Sequence, residues 1–104
     1  MCSNPGMFIR VWDYQVPAEN VEAFVAAYGV AGSWVELFGR SHGYLGTELY
    51  REGPAGTRFL TIDRWVDADH WGRFLDEHRS AYQSLDRRLE GLVVSERALF
   101  EGTS

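Results

Sequence analysis

Residues 8–14, FIRVWDY, and residues 59–65, FLTIDRW, are the two stretches of this 104-residue chain that decide its fold. Both have the β-branched and aromatic content of a strand, and in both the side chains alternate between two faces. Each leads into a helical stretch that carries aromatic residues at helical spacing, beginning with Phe24 in the first half and Phe74 in the second. The sequence therefore predicts two similar strand–helix–strand units, one in each half of the chain.

The starts of the helices are marked by Pro17 and Asp67. Pro17 cannot continue a strand ladder and suits a first helical turn. Asp67 is a good N-cap, because its carboxylate accepts from the free amides of a first turn. We expect glycines to interrupt the first helix before a short helical turn at residues 34–38, and the last helix to bend near residues 79–80.

Each half closes with a further strand, predicted at residues 43–51 and 92–100. Gly43 and Gly91 precede these strands, where glycine ends a helix in a left-handed turn. Residues 101–104 are expected to form a polar tail. Two such halves side by side describe an α+β fold, a four-stranded antiparallel sheet covered on one face by helices, which is the ferredoxin-like split βαβ arrangement.

The composition limits the location and partners of the protein. A chain of 104 residues has room for one domain, residues 1–104, with residues 1–6 as a flexible lead-in. The net charge of −5 argues against nucleic acid and anionic membranes as partners, and no apolar stretch approaches the roughly 20 residues that span a bilayer. Because Cys2 is the only cysteine and no charged-then-apolar leader is recognisable, a reducing cytoplasm is the expected location.

A polar cluster is expected on the two central strands. By alternation, Arg10 and Trp12 share one face of strand one, and Thr61 and Asp63 share one face of strand three. These strands are neighbours in the ferredoxin-like order. Arg10 and Asp63 are expected to pair if both are buried, because an isolated buried charge is costly. The pair is either purely structural or the polar floor of a pocket, and alternation does not decide which face meets the helices.

His78 lies on the apolar stripe of the last helix and is expected to point toward the sheet. It is either a general base near neutral pH or a core residue. The three histidines are not at the short sequence separations typical of metal ligands, and there is no cysteine cluster. No metal site is therefore predicted. Nucleophile elbows and phosphate-binding loops are likewise missing from the sequence.

Fifteen aromatic residues are the most unusual feature of the composition: six Phe, five Tyr and four Trp. They either fill a small core or line a pocket for a flat ligand. The candidates for a ligand-binding set are Trp12, Tyr14, Trp34, Phe38, Thr61, Trp71 and Tyr82.

From Phe8 to Phe100 the chain resembles the antibiotic biosynthesis monooxygenase group of the dimeric α/β-barrel proteins. Several short stretches together carry the likeness. They are YQVP at residues 14–17 with Phe24, GYLG at residues 43–46, and DRWVD at residues 63–67 with Trp71 and Phe74.

The resemblance implies a homodimer in which two sheets face each other as a barrel, with a pocket between sheet and helices in each subunit. The best-understood members of the group oxidise anthrone-like polyketides with molecular oxygen and without metal or flavin, by way of a substrate carbanion. Trp65 matches a tryptophan that matters in those enzymes. Trp71 replaces a family tyrosine, and Thr61 replaces a family asparagine.

The haem-degrading branch of the same superfamily is a poorer match. Trp12 occupies the place of its strand-one asparagine, and His78 lies a few residues late for its histidine. A bulky indole at Trp12 would fill haem space, so no tight haem binding is expected.

Two functional hypotheses follow. The first is a cofactor-independent monooxygenase of the antibiotic biosynthesis type that acts on an aromatic polyketide-like molecule. In this hypothesis Trp65 and Trp12 hold the plane of the substrate ring. Proton transfer and charge stabilisation are shared by Asp63, Arg10 and His78. The second is a non-catalytic small-molecule binder or accessory dimer of the same fold. Dimerisation is expected in either case, because the sheet face that carries Ile9 and Val11 would be an apolar patch on a monomer.

Overall fold

The computed structural model of the chain describes residues 6–104, in which four strands and three α-helices form. In chain order the elements are β1 (Phe8–Gln15), a 3₁₀ turn (Ala18–Asn20), α1 (Val21–Tyr28), α2 (Ser33–Phe38), β2 (Tyr44–Arg51), β3 (Arg58–Trp65), α3 (Ala68–Leu89), a second 3₁₀ turn (Glu90–Leu92) and β4 (Ser95–Thr103). The sheet has the order β2-β3-β1-β4, and every neighbouring pair is antiparallel. The predicted ferredoxin-like α+β fold is confirmed. Cys2 and the expected lead-in, apart from Gly6, lie outside the described residues.

The predicted helix starts are found in the structure. Pro17 precedes the 3₁₀ turn that opens into α1, and the Asp67 carboxylate accepts from the backbone amide of His70 at 2.8 Å as the N-cap of α3. The predicted bend of the last helix is also present, one residue earlier than expected, where His78 has φ −124° and ψ 23°.

The extent of β4 corrects the sequence prediction. The strand begins at Ser95 because residues 90–92 form a 3₁₀ turn, and it continues to Thr103, so the predicted polar tail at residues 101–104 is wrong. Thr103 pairs with Phe8 and Glu101 pairs with Arg10 on the side of β1 opposite β3. Backbone pairing does not depend on polar or apolar side chains, and an edge strand can therefore be polar.

The glycines before β2 and β4 do not form the predicted left-handed helix ends. Among the described residues only Gly46 and Gly53 have positive φ, at 142° and 66°. Gly43 is instead required by packing, because a Cβ there would collide with the His70 side chain.

The helices cover the sheet face that carries Arg10 and Asp63. Alternate residues of β3 are buried under them, while Ile9 and Val11 belong to the uncovered face and are only half-buried. The covered face and the helices enclose an aromatic core that consists chiefly of Phe24, Tyr28, Trp34, Phe38, Phe59, Trp65, Trp71 and Phe74.

The segment Ala18–Phe38 has the length and apolar composition of a membrane-spanning helix. In the structure it is divided into a 3₁₀ turn and two helices of eight and six residues, each far shorter than the roughly 20 residues of a span. Its large side chains Phe24, Tyr28 and Trp34 are buried against the rest of the domain. The segment therefore forms part of the core of this fold.

Candidate functional site

A cavity of about 50 Å³ lies between the covered face of the sheet and the helices. All four strands and all three α-helices contribute to its wall. The lining residues are Arg10, Trp12, Tyr14, Tyr28, Trp34, Phe38, Thr47, Thr61, Asp63, Tyr82, Asp86 and Glu96.

Asp63 is the buried carboxyl group of this cavity. Its residue is 6% exposed, and the Thr47 hydroxyl donates to its Oδ1 at 2.7 Å. Burial raises the pKa of Asp63 above the usual value, although the Thr47 hydrogen bond and the charge of Arg10 oppose that rise. The ionised carboxylate is therefore a stronger base here than it would be in water.

Arg10 lies next to Asp63 in the register of β1 and β3, yet the expected ion pair between them is not formed. None of the ion pairs in residues 6–104 joins these two side chains; Arg10 Nε instead donates to Glu101 Oε2 at 2.9 Å. Glu101 is the partner of Arg10 in β4 and its side chain is 49% exposed. Pairing with it spares a second charge from full desolvation, which explains the preference.

The Arg10 guanidinium also lies over two aromatic rings. Its central carbon lies 4.0 Å from the centroid of the Trp71 ring and 5.6 Å from that of Trp12. Cation–π contacts of this kind stabilise a desolvated guanidinium. Arg10 is thus a fixed positive charge at the wall of the cavity.

Three tyrosines of the wall are neutral hydrogen-bonding groups at neutral pH. Burial raises the pKa of Tyr28 to about 12, raises that of Tyr14 well above 10, and raises that of Tyr82. The indole Nε1 of Trp34 is buried, and no group in residues 6–104 accepts a hydrogen bond from it. The aromatic wall can therefore supply both ring faces and polar hydrogens to a ligand.

Two further carboxyl groups, Asp86 on α3 and Glu96 on β4, complete the lining. Partial desolvation of the Glu96 carboxyl, together with the charges of Asp86 and Glu90, raises its pKa. This part of the wall is acidic.

Most of the residues expected at a ligand site do come together around the cavity. They are Arg10, Trp12, Tyr14, Trp34, Phe38, Thr61, Asp63 and Tyr82. Trp65, Trp71 and His78 do not line it.

Trp65 and Trp71 belong to the aromatic core behind the cavity. Trp65 has no exposed surface, and its ring centroid lies 5.2 Å from that of Trp71 and 5.5 Å from that of Phe38. Trp65 therefore supports Phe38, which does line the cavity. His78 is at the kink of α3 with its ring 5.1 Å from that of Phe74, and Tyr82, one turn later, takes the position at the cavity.

Sequence reasoning missed Tyr28, Thr47, Asp86 and Glu96 as lining residues. Tyr28 could have been found, because it follows Phe24 by four residues on the same helix face. Asp86 and Glu96 carry no local signal, since their places depend on how α3 and β4 cross.

Thr47 was hidden by a β-bulge. Strict alternation would place Tyr44 and Thr47 on opposite faces of β2. The β2–β3 register shifts between Tyr44 and Gly46, where Gly46 has φ 142°, and both side chains lie on the covered face within 2.5 Å of each other.

Metal-binding geometry is not found in the described part of the chain: residues 6–104 hold no group of three His, Cys, Asp or Glu side chains that could bind a metal ion.

Comparison with solved structures supports the fold. SnoaB from Streptomyces nogalater, a cofactor-independent oxygenase, is 18% identical with a TM-score of 0.65, covering 95% of this chain and 96% of its own. MupZ from Pseudomonas fluorescens is 17% identical with a TM-score of 0.66, covering 88% of this chain and 69% of its own. PA3566 from Pseudomonas aeruginosa is 15% identical with a TM-score of 0.68, covering 99% and 98%.

At these identities the solved structures establish the shared fold. No curated protein sequence matches the chain. The family model for antibiotic biosynthesis monooxygenase matches residues 7–83, which is most of the described chain. The protein therefore belongs to the antibiotic biosynthesis monooxygenase family.

Proposed function

We propose that this protein is a cofactor-independent monooxygenase that acts on an aromatic, polyketide-like small molecule, as a cytoplasmic homodimer. The observation that carries the proposal is a buried carboxyl, Asp63, beside a fixed guanidinium, Arg10, in a cavity lined by aromatic rings. Membership of the antibiotic biosynthesis monooxygenase family supports the reaction class.

In the proposed reaction Asp63 takes a proton from a substrate CH₂ group next to a carbonyl. Burial strengthens the carboxylate as a base, and Arg10 stabilises the negative charge that develops on the substrate oxygen. The resulting carbanion passes an electron to molecular oxygen, and the substrate radical and superoxide combine to a peroxide anion. The protonated Asp63 returns its proton to this anion, which gives a hydroperoxide and restores the carboxylate. Loss of water then leaves a ketone, so that one atom of O₂ enters the product and the other leaves as water.

The aromatic wall would position the flat substrate for this step. Trp12 and Tyr14 are stacked with ring centroids 6.4 Å apart, and Trp34 and Phe38 are stacked at 5.5 Å. Flat rings bind by offset stacking against such surfaces. In this proposal Trp65 acts by holding Phe38 in place, and His78 takes no part in proton transfer.

The cavity must open to admit a substrate. Its volume of about 50 Å³ is far below the roughly 300–1,000 Å³ of typical ligand pockets. Trp12 and Tyr82 are the half-buried aromatic side chains of the wall, and their rotation would enlarge it. This small volume is also the observation that favours the second candidate, a non-catalytic binder or accessory dimer whose cavity holds a smaller ligand.

Oxygen uptake tests the proposal. With anthrone as the substrate in chelator-treated buffer, the wild type should consume O₂, and Asp63→Asn should lower turnover by about 10²–10⁴-fold, the usual effect of a positioned base. Asp76→Asn is the matched control, because its side chain is 78% exposed on α3. Unchanged turnover in Asp63→Asn would exclude Asp63 as the base.

A titration of the protein with anthrone, read together with the oxygen uptake, separates the two candidate functions. Quenching of tryptophan fluorescence by anthrone reports binding without turnover. Binding by the wild type with no O₂ consumption would favour the non-catalytic binder.

A further inference from the structure

A hydrogen-bonded chain connects the buried carboxyl of the cavity to β2. Tyr44 Oη lies 2.5 Å from Thr47 Oγ1, and Thr47 Oγ1 donates to Asp63 Oδ1 at 2.7 Å. Thr47 and Asp63 are direct partners in the β2–β3 register. The three side chains therefore form one connected unit across two strands.

The direction of each hydrogen bond follows from proton counting. A threonine hydroxyl has one proton, and here the ionised carboxylate of Asp63 can only accept it. The Tyr44 hydroxyl must then donate to Thr47. Burial raises the pKa of Tyr44, which keeps this phenol protonated and able to donate.

We propose that Thr47, oriented by Tyr44, is the positioning residue for Asp63: it holds Oδ1 in place and leaves Oδ2 free to take the substrate proton. This inference rests on the proposed role of Asp63 as the base. Without the hydroxyl the carboxylate would lose both its fixed orientation and its one hydrogen-bond donor from β2.

The other groups around Asp63 do not duplicate this role. Arg10 on β1 is the charged neighbour and is itself bonded to Glu101 on β4. Tyr14 on β1 and Tyr82 on α3 also face the carboxyl and are neutral phenols. Of the hydrogen bonds found in residues 6–104, the one from Thr47 is the one that reaches the Asp63 side chain.

Three substitutions test the proposal on the ligand-free protein, with the pKa of Asp63 measured by carboxyl carbon NMR. Thr47→Val keeps the β-branched shape but removes the donor, so the pKa of Asp63 should rise further. Tyr44→Phe should cause a smaller rise, because the Thr47 hydroxyl is still present. Thr47→Ser should restore the wild-type value.

Turnover supplies a second measurement. Thr47→Val should lower kcat roughly tenfold with little change in KM, the scale expected for one hydrogen bond to a charged group. The acid limb of its pH profile should move to higher pH, and Thr47→Ser should recover both. Should Thr47→Val not fold, Tyr44→Phe and Thr47→Ser still carry the test.

Tyr50→Phe is the matched control, since Tyr50 lies on the same strand but donates to Glu48 at 2.7 Å on the other side of the sheet. It should leave the pKa of Asp63 unchanged. A Thr47→Val protein with a wild-type pKa for Asp63 and a wild-type pH profile would overturn the inference. A shifted pKa in a protein that never consumes O₂ would instead contradict the proposed function and leave the control of Asp63 by Thr47 standing.

Discussion

At the scale of single residues, the burial of Asp63 makes its carboxylate a stronger base and also lowers the stability of the folded protein at neutral pH. Its carboxyl is buried among aromatic rings, and the nearest guanidinium is bonded to a different carboxylate. Burial favours the neutral acid, so ionisation at neutral pH opposes folding. The pKa of Asp67 is shifted in the opposite direction, because the hydrogen bonds of its carboxylate to His70 lower it.

These opposite shifts predict opposite pH dependences of stability. The folded pKa of Asp63 is raised above 3.8, so its contribution to the free energy of unfolding is fully present below 3.8 and is lost as pH rises through the folded pKa. The stability of the wild type relative to Asp63→Asn should therefore fall as pH rises from 3.8.

Asp67→Asn is the comparison variant. The wild type should gain stability relative to it as pH rises through the lowered pKa of Asp67. Urea unfolding of the wild type and the two variants over a pH series measures how each stability difference changes with pH. A wild type that instead gained stability relative to Asp63→Asn with rising pH would show that the Asp63 pKa is not raised.

At the scale of secondary-structure elements, the bulge in β2 decides the geometry of the site. Gly46 has φ 142°, a conformation that side chains of L-residues rarely adopt, and it lies where the β2–β3 register shifts. The bulge brings Tyr44 and Thr47 to the same face of the sheet, where they bond. A regular strand would separate them.

Gly46→Ala should therefore lower the free energy of unfolding by about 1–3 kcal/mol, the usual cost of strained backbone, although open space surrounds the position. It should also shift the pKa of Asp63 in the same direction as Thr47→Val.

Gly72→Ala is the control for this substitution. Gly72 lies in α3, also with open space around it, and alanine there should stabilise the protein by about 0.5–1 kcal/mol. Thermal or urea unfolding measures both effects. Equal stability changes for the two substitutions would contradict a strained role for Gly46.

At the scale of the whole molecule, one face of the sheet lies under the helices, and no element of residues 6–104 covers the other face. The uncovered face carries Ile9, Val11 and Ile62, and Phe100 lies opposite Val11 with 56% of its surface exposed. These apolar side chains lie between the ion pairs Asp13–Arg58 and Glu48–Arg64. An exposed apolar patch with a charged rim is typical of an interface between subunits. It is the surface on which we expect a second copy of the chain.

Light scattering should accordingly give a mass twice that of the chain. Phe100→Asp should weaken the dimer by at least about tenfold in its dissociation constant, because a buried charge would replace an aromatic contact.

Val30→Asp is the matched control, because Val30 is 72% exposed in the loop between α1 and α2, and this substitution should leave the mass unchanged. A monomeric wild type at micromolar concentration would contradict the predicted dimer.

The secondary-structure elements and their order could be predicted from local sequence patterns alone. Alternation along β1 and β3, Pro17 before the first helix and the Asp67 cap are local signals, and the structure contains each of them. Local signals are reliable here because they depend on steric limits and hydrogen bonds within a few residues.

The geometry of the site, in contrast, depends on how the sheet and the helices assemble. Their assembly selected the face of the sheet under the helices, extended β4 to Thr103, paired Arg10 with Glu101, left Trp65 behind the cavity, and joined Thr47 to Asp63. Each of these outcomes depends on the register between strands that are distant in the sequence and on which charged side chains are desolvated by burial. Neither quantity is set by neighbouring residues in the chain, so only the assembled sheet and helices could fix them.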